Sequence, residues 1–136
     1  MGSVARMDAK AAAHEFMDAL HRLEEQGDAE VMQDRFADEC ELHALVRRRE
    51  HTGRDGVTAF WTEYLKPFSR IHSDFSHVAA DGAVAVLEWT GKGQLKEGNR
   101  DIAYDGCSIL EFDGDGKITR FRTFYDSAQF VVAGGK

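Results

Sequence analysis

The chain has 136 residues, 43% hydrophobic and 30% charged, with a formal net charge of -7. That length supports one core rather than two domains, no apolar run reaches the roughly 18 residues of a membrane span, and the negative balance opposes attraction to phosphate backbones. The expected molecule is therefore one compact domain that binds neither membrane nor nucleic acid.

Met1-Gly2-Ser3-Val4-Ala5-Arg6 has no apolar core of a secretory signal, so the chain reads as cytoplasmic. Residues 1–8 are assigned to an N-terminal extension and 9–134 to a single domain. Ala12, Ala13, Phe16, Ala19, Leu20 and Leu23 recur at helical spacing, which predicts an amphipathic helix over about 8–25 closed by Gly27. His14, Asp18 and His21 fall on the other side of that helix and are expected to face water without holding a metal. Asp28 is the expected N-cap of a short second helix carrying Met32 and Phe36. Cys40, Leu42, Ala44 and Val46 then alternate with Glu41, His43, Leu45 and Arg47, as in a strand with one apolar face, which turns His43 outward. Cys40 and Cys107 lack metal-ligand spacing and read as buried free thiols. Arg47-Arg48-Arg49, with His51 and Arg54, is the one basic stretch, but Glu50 interrupts it and no aromatics are interleaved.

Thr52-Gly53-Arg54-Asp55-Gly56 breaks the chain, and Val57, Phe60, Trp61, Tyr64 and Leu65 then form the strongest helical pattern, stopped by Pro67, the only proline. Its three aromatics either line a ligand cavity or are simply core. From Ile71 the period changes to two, predicting strands over 73–79, 83–95 and 100–112 separated by Asp81-Gly82 and Glu97-Gly98-Asn99. In the last of these, Ile102, Tyr104, Gly106, Ser108, Leu110 and Phe112 share a face. Asp105, Cys107, Ile109 and Glu111 occupy the other, which is not plainly charged and is the expected homodimer contact through the outer sheet face.

The turn Asp113-Gly114-Asp115-Gly116 leads into a closing strand with Phe121, Thr123 and Tyr125 inward and Arg120, Arg122 and Phe124 outward. Asp126 follows where regular pairing stops. Either a bend turns its carboxylate toward the interior as an acid/base group, or it caps the tail over 127–134. Helices ahead of a meander imply an α+β fold, a cone-shaped curved antiparallel sheet wrapped around three N-terminal helices with a central pocket.

Phe36-Ala37-Asp38-Glu39, Gly53-Arg54-Asp55-Gly56-Val57 with Phe60-Trp61, Trp89, and Gly116-Lys117-Ile118 through Arg122 to Tyr125-Asp126 together resemble the SnoaL-like and ketosteroid-isomerase-like families of the nuclear transport factor 2 superfamily, over residues 9–134. The resemblance implies a deep, mostly apolar pocket, commonly in a homodimer. It also implies departures. Ala44 stands at the steroid isomerases' base, and Phe16 or a neighbour and Ser108 at their oxyanion donors. Glu41-x-His43 and Glu88-x-Thr90 replace the Tyr-x-Asn and Arg-x-Asp of limonene-epoxide-hydrolase-like enzymes. Both activities thus lose their machinery, while Asp126 matches the acid/base Asp of SnoaL-like polyketide cyclases.

Three readings follow. The first is an enzyme acting on a small apolar or ring-containing molecule, with Asp126 as acid/base and Trp61, Tyr64, Trp89, Tyr104, Ser108 and Tyr125 shaping the pocket. The second is a non-catalytic ligand-binding or dimerisation module of the same fold, and the third a protein-interaction domain using its outer sheet face. No metal or other cofactor is expected in any of them.

Overall fold

A computed structural model describes residues 7–45 and 49–130, with the backbone alone for Arg49. Val46, Arg47 and Arg48, most of the N-terminal extension and the last residues of the tail lie outside the described residues.

Helix α1 (Ala9–Gln26) starts where the Asp8 carboxylate accepts the Lys10 and Ala11 N–H groups at 3.0 and 3.3 Å. It ends at Gly27, whose φ of 73° is the left-handed cap that glycine adopts without steric cost. Its buried stripe is the predicted one, Ala12, Ala13, Phe16, Ala19, Leu20 and Leu23. Asp28 caps a 3₁₀ segment, Ala29–Arg35, which buries Met32, and Phe36 already opens strand β1 (Phe36–Ala44). A four-residue strand, β2 (Arg49–Thr52), precedes helix α2 (Gly53–Leu65), which buries Gly56, Val57, Phe60 and Trp61. The meander follows as β3 (Phe68–Asp81), β4 (Val84–Leu95), β5 (Asp101–Phe112) and β6 (Ile118–Tyr125).

The six strands form one sheet in the order β2-β1-β6-β5-β4-β3. The neighbours joined by hairpins are antiparallel, but β1 lies parallel to β6, with Leu42 opposite Phe121 and Ala44 opposite Thr123. The sheet is therefore mixed where the sequence suggested antiparallel pairing throughout. A tight turn dictates antiparallel neighbours, whereas most of the chain separates β1 from β6 and no turn fixes their relative direction. Register shifts in β1, β3 and at the end of β5 mark the bulges that curl the sheet over α1, the 3₁₀ segment and α2. The result is an α+β cone whose core runs from Phe16, Leu23 and Met32 to Leu42, Leu87, Leu110 and Ile118.

The alternation predicted for β5 and β6 is observed, with Tyr104, Ser108, Leu110, Phe121 and Thr123 buried on the inner face. The outer face is composite. Val86 and Phe124 are exposed there, beside a ladder in which Glu111 pairs with Arg120 and Arg122 at 3.4 and 3.2 Å, and Arg120 also with Glu41 at 3.3 Å.

Candidate active site in the cone

Between the inner sheet face and helices α1 and α2 lies a cavity of about 80 Å³ walled mainly by aromatic rings. All six side chains expected to shape a pocket, Trp61, Tyr64, Trp89, Tyr104, Ser108 and Tyr125, line it. The hollow survives because two of its large rings lie flat on the sheet. Trp89 faces Gly106 across the β4–β5 ladder and Tyr104 faces Gly91. A Cβ on Gly106 would stand 2.3 Å from the indole, and one on Gly91 2.8 Å from the Tyr104 ring. With side chains at those positions the rings would be forced up into the space they now enclose. From the other end, Phe130 of the short turn Ser127–Phe130 packs on Tyr104, with ring centroids 4.8 Å apart, and limits the cavity there.

The polar groups on this wall are of two kinds. Some are saturated. The Glu24 carboxylate, at the end of α1, accepts from the Tyr64 hydroxyl and the Ser73 hydroxyl at 2.6 Å each and from the Ser73 N–H at 3.0 Å, tying α1, α2 and β3 together. Burial above all, with the neighbouring Tyr104 and the Glu24 charge, pushes the Tyr64 phenol well above its ordinary value, so it stays a neutral donor. On the sheet, Trp89 Nε1 donates to Ser108 Oγ at 2.9 Å, and Ser108 shares a hydrogen bond of 2.9 Å with Thr123 Oγ1.

Others are not saturated. His51, on β2, lies 3.2 Å through Nε2 from Glu63 Oε2, on α2. Its Nδ1 is buried and has no partner among the described residues, and neither has Nε1 of Trp61, a residue only 2% exposed. Gly56, Phe60 and Glu63 stand at i, i+4 and i+7 on α2 and present one stripe to β2. Gly56 permits the approach, since a Cβ there would come 2.9 Å from the His51 backbone. The imidazole then runs along the helix over the edge of Phe60, ring centroids 5.8 Å apart, to reach Glu63. The imidazole is thus held through one nitrogen by a carboxylate, while its other nitrogen lies enclosed in the wall.

Asp126 is placed otherwise than the acid/base expectation requires. It is exposed, does not line the cavity, and accepts the Ala128 N–H at 3.0 Å. Its backbone N–H donates to the Asp105 carbonyl at 3.1 Å, which prolongs the β5–β6 ladder by one step and keeps the side chain on the outward phase of the strand. Arg122 is not its partner, pairing with Glu111 instead.

Phe16, Ala44 and Ser108, at the places where the resemblance puts the steroid isomerases' machinery, do line the cavity. Glu41, His43, Glu88 and Thr90 do not: His43 bonds Glu41 at 2.9 Å, and Thr90 bonds Asp105 at 2.7 Å. His21 departs from its expected exposure. It is half-buried, 2.8 Å through Nε2 from the Ser73 carbonyl, and stacked on His72. Two groups, His21/Glu24/His72 and Glu41/His43/Glu50, bring potential metal-ligand atoms within 4.8 Å of one another. In the first, Glu24 and His21 Nε2 are already hydrogen-bonded; in the second, Glu41 is held by His43 and Arg120. Burial raises the pKa of both Cys40 and Cys107, which suits inert thiols.

Solved structures share this architecture. A nuclear transport factor 2-like protein from Anabaena variabilis superposes with a TM-score of 0.78 at 15% identity, covering 94% of this chain and 98% of that one. A protein with a ketosteroid isomerase-like fold from Catenulispora acidiphila, solved in complex with trimethylamine, gives 0.77 at 16%, covering 89% and 92%. An LEH-like epoxide hydrolase of M. tuberculosis gives 0.68 at 19%, covering 89% and 84%. At these identities the likeness is one of fold. No curated protein sequence matches the chain. The SnoaL-like domain family does match, over residues 13–121, and this chain belongs to it.

Proposed function

We propose that the cone binds a small, largely apolar or ring-containing molecule that carries one hydrogen-bond acceptor. The observation that carries this reading is the cavity walled by aromatic rings, one of which, Trp61, has a buried indole N–H with no partner among the described residues. A buried donor left unpaired costs about 1–3 kcal/mol, which a ligand acceptor recovers on binding. The cavity size bounds the ligand. At about 80 Å³ it is roughly half the 150 Å³ of an engineered apolar cavity that admits benzene, so a small ring fits best where Phe130 yields some room.

The test uses cyclopentanone and the two indole N–H signals in a ¹⁵N-labelled NMR titration. A saturable shift at Trp61, larger than that at Trp89, is the expected result, and Trp61→Phe weakens binding at least fivefold. No saturable shift at either indole would overturn the reading. A second reading is favoured by the ring-walled shape, since aromatic faces attract alkylammonium groups and the C. acidiphila relative was solved with trimethylamine. Trimethylammonium needs no N–H donor, so its binding would survive Trp61→Phe.

A further inference from the structure

We propose that Glu41, His43 and Glu50 form a site for one divalent first-row transition ion, of which zinc is the type, on the outward face of the sheet where β2 pairs with β1. The site is independent of the binding reading, since none of the three residues lines the cavity. The sheet itself assembles it. His43 and Glu50 are directly opposite in the antiparallel β1–β2 register, so their side chains leave the sheet on the same face. Glu41 stands two positions from His43 on β1 and joins them there.

Both carboxylates converge on one nitrogen. His43 Nε2 lies 2.9 Å from Glu41 Oε1 and 3.5 Å from Glu50 Oε2. In a tetrahedral zinc site with bonds of about 2.0–2.1 Å the ligand atoms stand about 3.3 Å apart, a spacing that those two distances bracket. One ligand atom from each residue already lies within 4.8 Å of the other two, so side-chain rotations close the set around an ion. The hydrogen bond between His43 and Glu41 does not oppose this, because the ion takes the place of its proton. The imidazole hydrogen moves to Nδ1, which bonds nothing among the described residues, and the Nε2 lone pair is freed for the metal. Imidazole nitrogen with carboxylate oxygen is a zinc donor set rather than a magnesium or calcium one. Arg120 Nε, 3.3 Å from Glu41 Oε1 and itself paired with Glu111, acts as the outer group that orients a ligating carboxylate. Among the described residues of this ladder, Glu41, Glu50 and Glu111 outnumber Arg120 and Arg122, so with a neutral His43 the cluster is anionic. The ion would tie the four-residue edge strand β2 to β1 and keep an open position for water.

The experiment titrates Zn²⁺ into the untagged, chelator-treated chain by calorimetry and repeats the titration with Co²⁺, whose four-coordinate complexes absorb strongly in the visible. The expected result is one ion per chain, a visible cobalt band and a thermal midpoint that rises with zinc. Glu50→Gln, at a side chain 53% exposed and so tolerant of the change, weakens zinc binding by more than the roughly tenfold that even an outer-group change costs. His43→Gln does the same and removes the cobalt band. His72→Gln, in the other group of potential ligands, leaves both unchanged. Should His43→Gln fail to fold, Glu50→Gln decides the matter. No zinc binding in the native chain, undiminished binding in a folded Glu50→Gln or His43→Gln chain, or binding lost in His72→Gln overturns the proposal, and each of these leaves the ketone reading untouched.

Discussion

The Glu24 clamp, through Tyr64 and Ser73, and the His51–Glu63 pair border the same cavity and differ in how completely their hydrogen bonds are made. Glu24 receives three donors from α2 and β3, and its carboxylate is spoken for. His51 makes one bond through one nitrogen and leaves the other buried and, among the described residues, unpaired. Natural folds leave few buried polar atoms unsatisfied, because each costs about 1–3 kcal/mol. A complete network therefore reads as architecture, and an incomplete one beside a cavity as a place prepared for something else.

The strongest way to break that comparison is to truncate each carboxylate and measure unfolding. Glu24→Ala strands the Tyr64 and Ser73 hydroxyls without an acceptor and should lower stability by about 1–3 kcal/mol. Glu63→Ala, at a side chain 33% exposed, should cost below about 1 kcal/mol. Urea midpoints of the two variants check the ranking, and equal losses would show that the His51 pair is as structural as the clamp.

A smaller effect sharpens the clamp side. The Tyr64 phenol is pushed above its ordinary value by burial first, then by Tyr104 and Glu24. The folded state thus holds the phenolic proton more tightly than the unfolded chain, and stability, complete below pH ~10, falls as pH rises through and beyond that range. Tyr64→Phe removes this slope even though it also sacrifices the bond to Glu24. Urea midpoints at pH 8 and 10.5 should therefore converge in the variant relative to the native chain.

What could be read ahead of the structure follows from where periodicity is strong. Helices α1 and α2 and the inner faces of β5 and β6 rest on runs of 8 to 18 residues with one repeat each, and their buried sets match the expectation except that Tyr64 and Leu65 on α2 and Tyr125 on β6 are only partly buried. Strand β2 is four residues long and too short to carry a repeat. In the sequence, His51 accordingly reads as part of a basic stretch and Glu63, twelve positions on, only as one residue of a helix. The signal that could have joined them was Gly56-Phe60-Glu63, a stripe on α2 that shares Phe60 with its aromatic face, with a glycine where a strand must come close. The parallel docking of β1 on β6 had no local signal, because no turn connects them. Asp126 was ambiguous for a different reason: its type and position suit a cap and an acid/base group equally, and only the backbone path after Tyr125 separates the two.

The smallest expected effect lies in the tail. The Asp126 carboxylate is exposed and its described hydrogen bond is to the Ala128 N–H, a task that asparagine performs about as well. Asp126→Asn should leave stability within roughly 0.5 kcal/mol of the native value and leave ketone binding unaltered, whereas Asp126→Ala should cost about 0.5–1 kcal/mol by freeing that N–H. Thermal melts and ketone titrations on the two variants measure this. If Asp126→Asn weakened ketone binding, the carboxylate would have to reach the ligand, and the turn bearing Phe130 would then need to reorganise on binding.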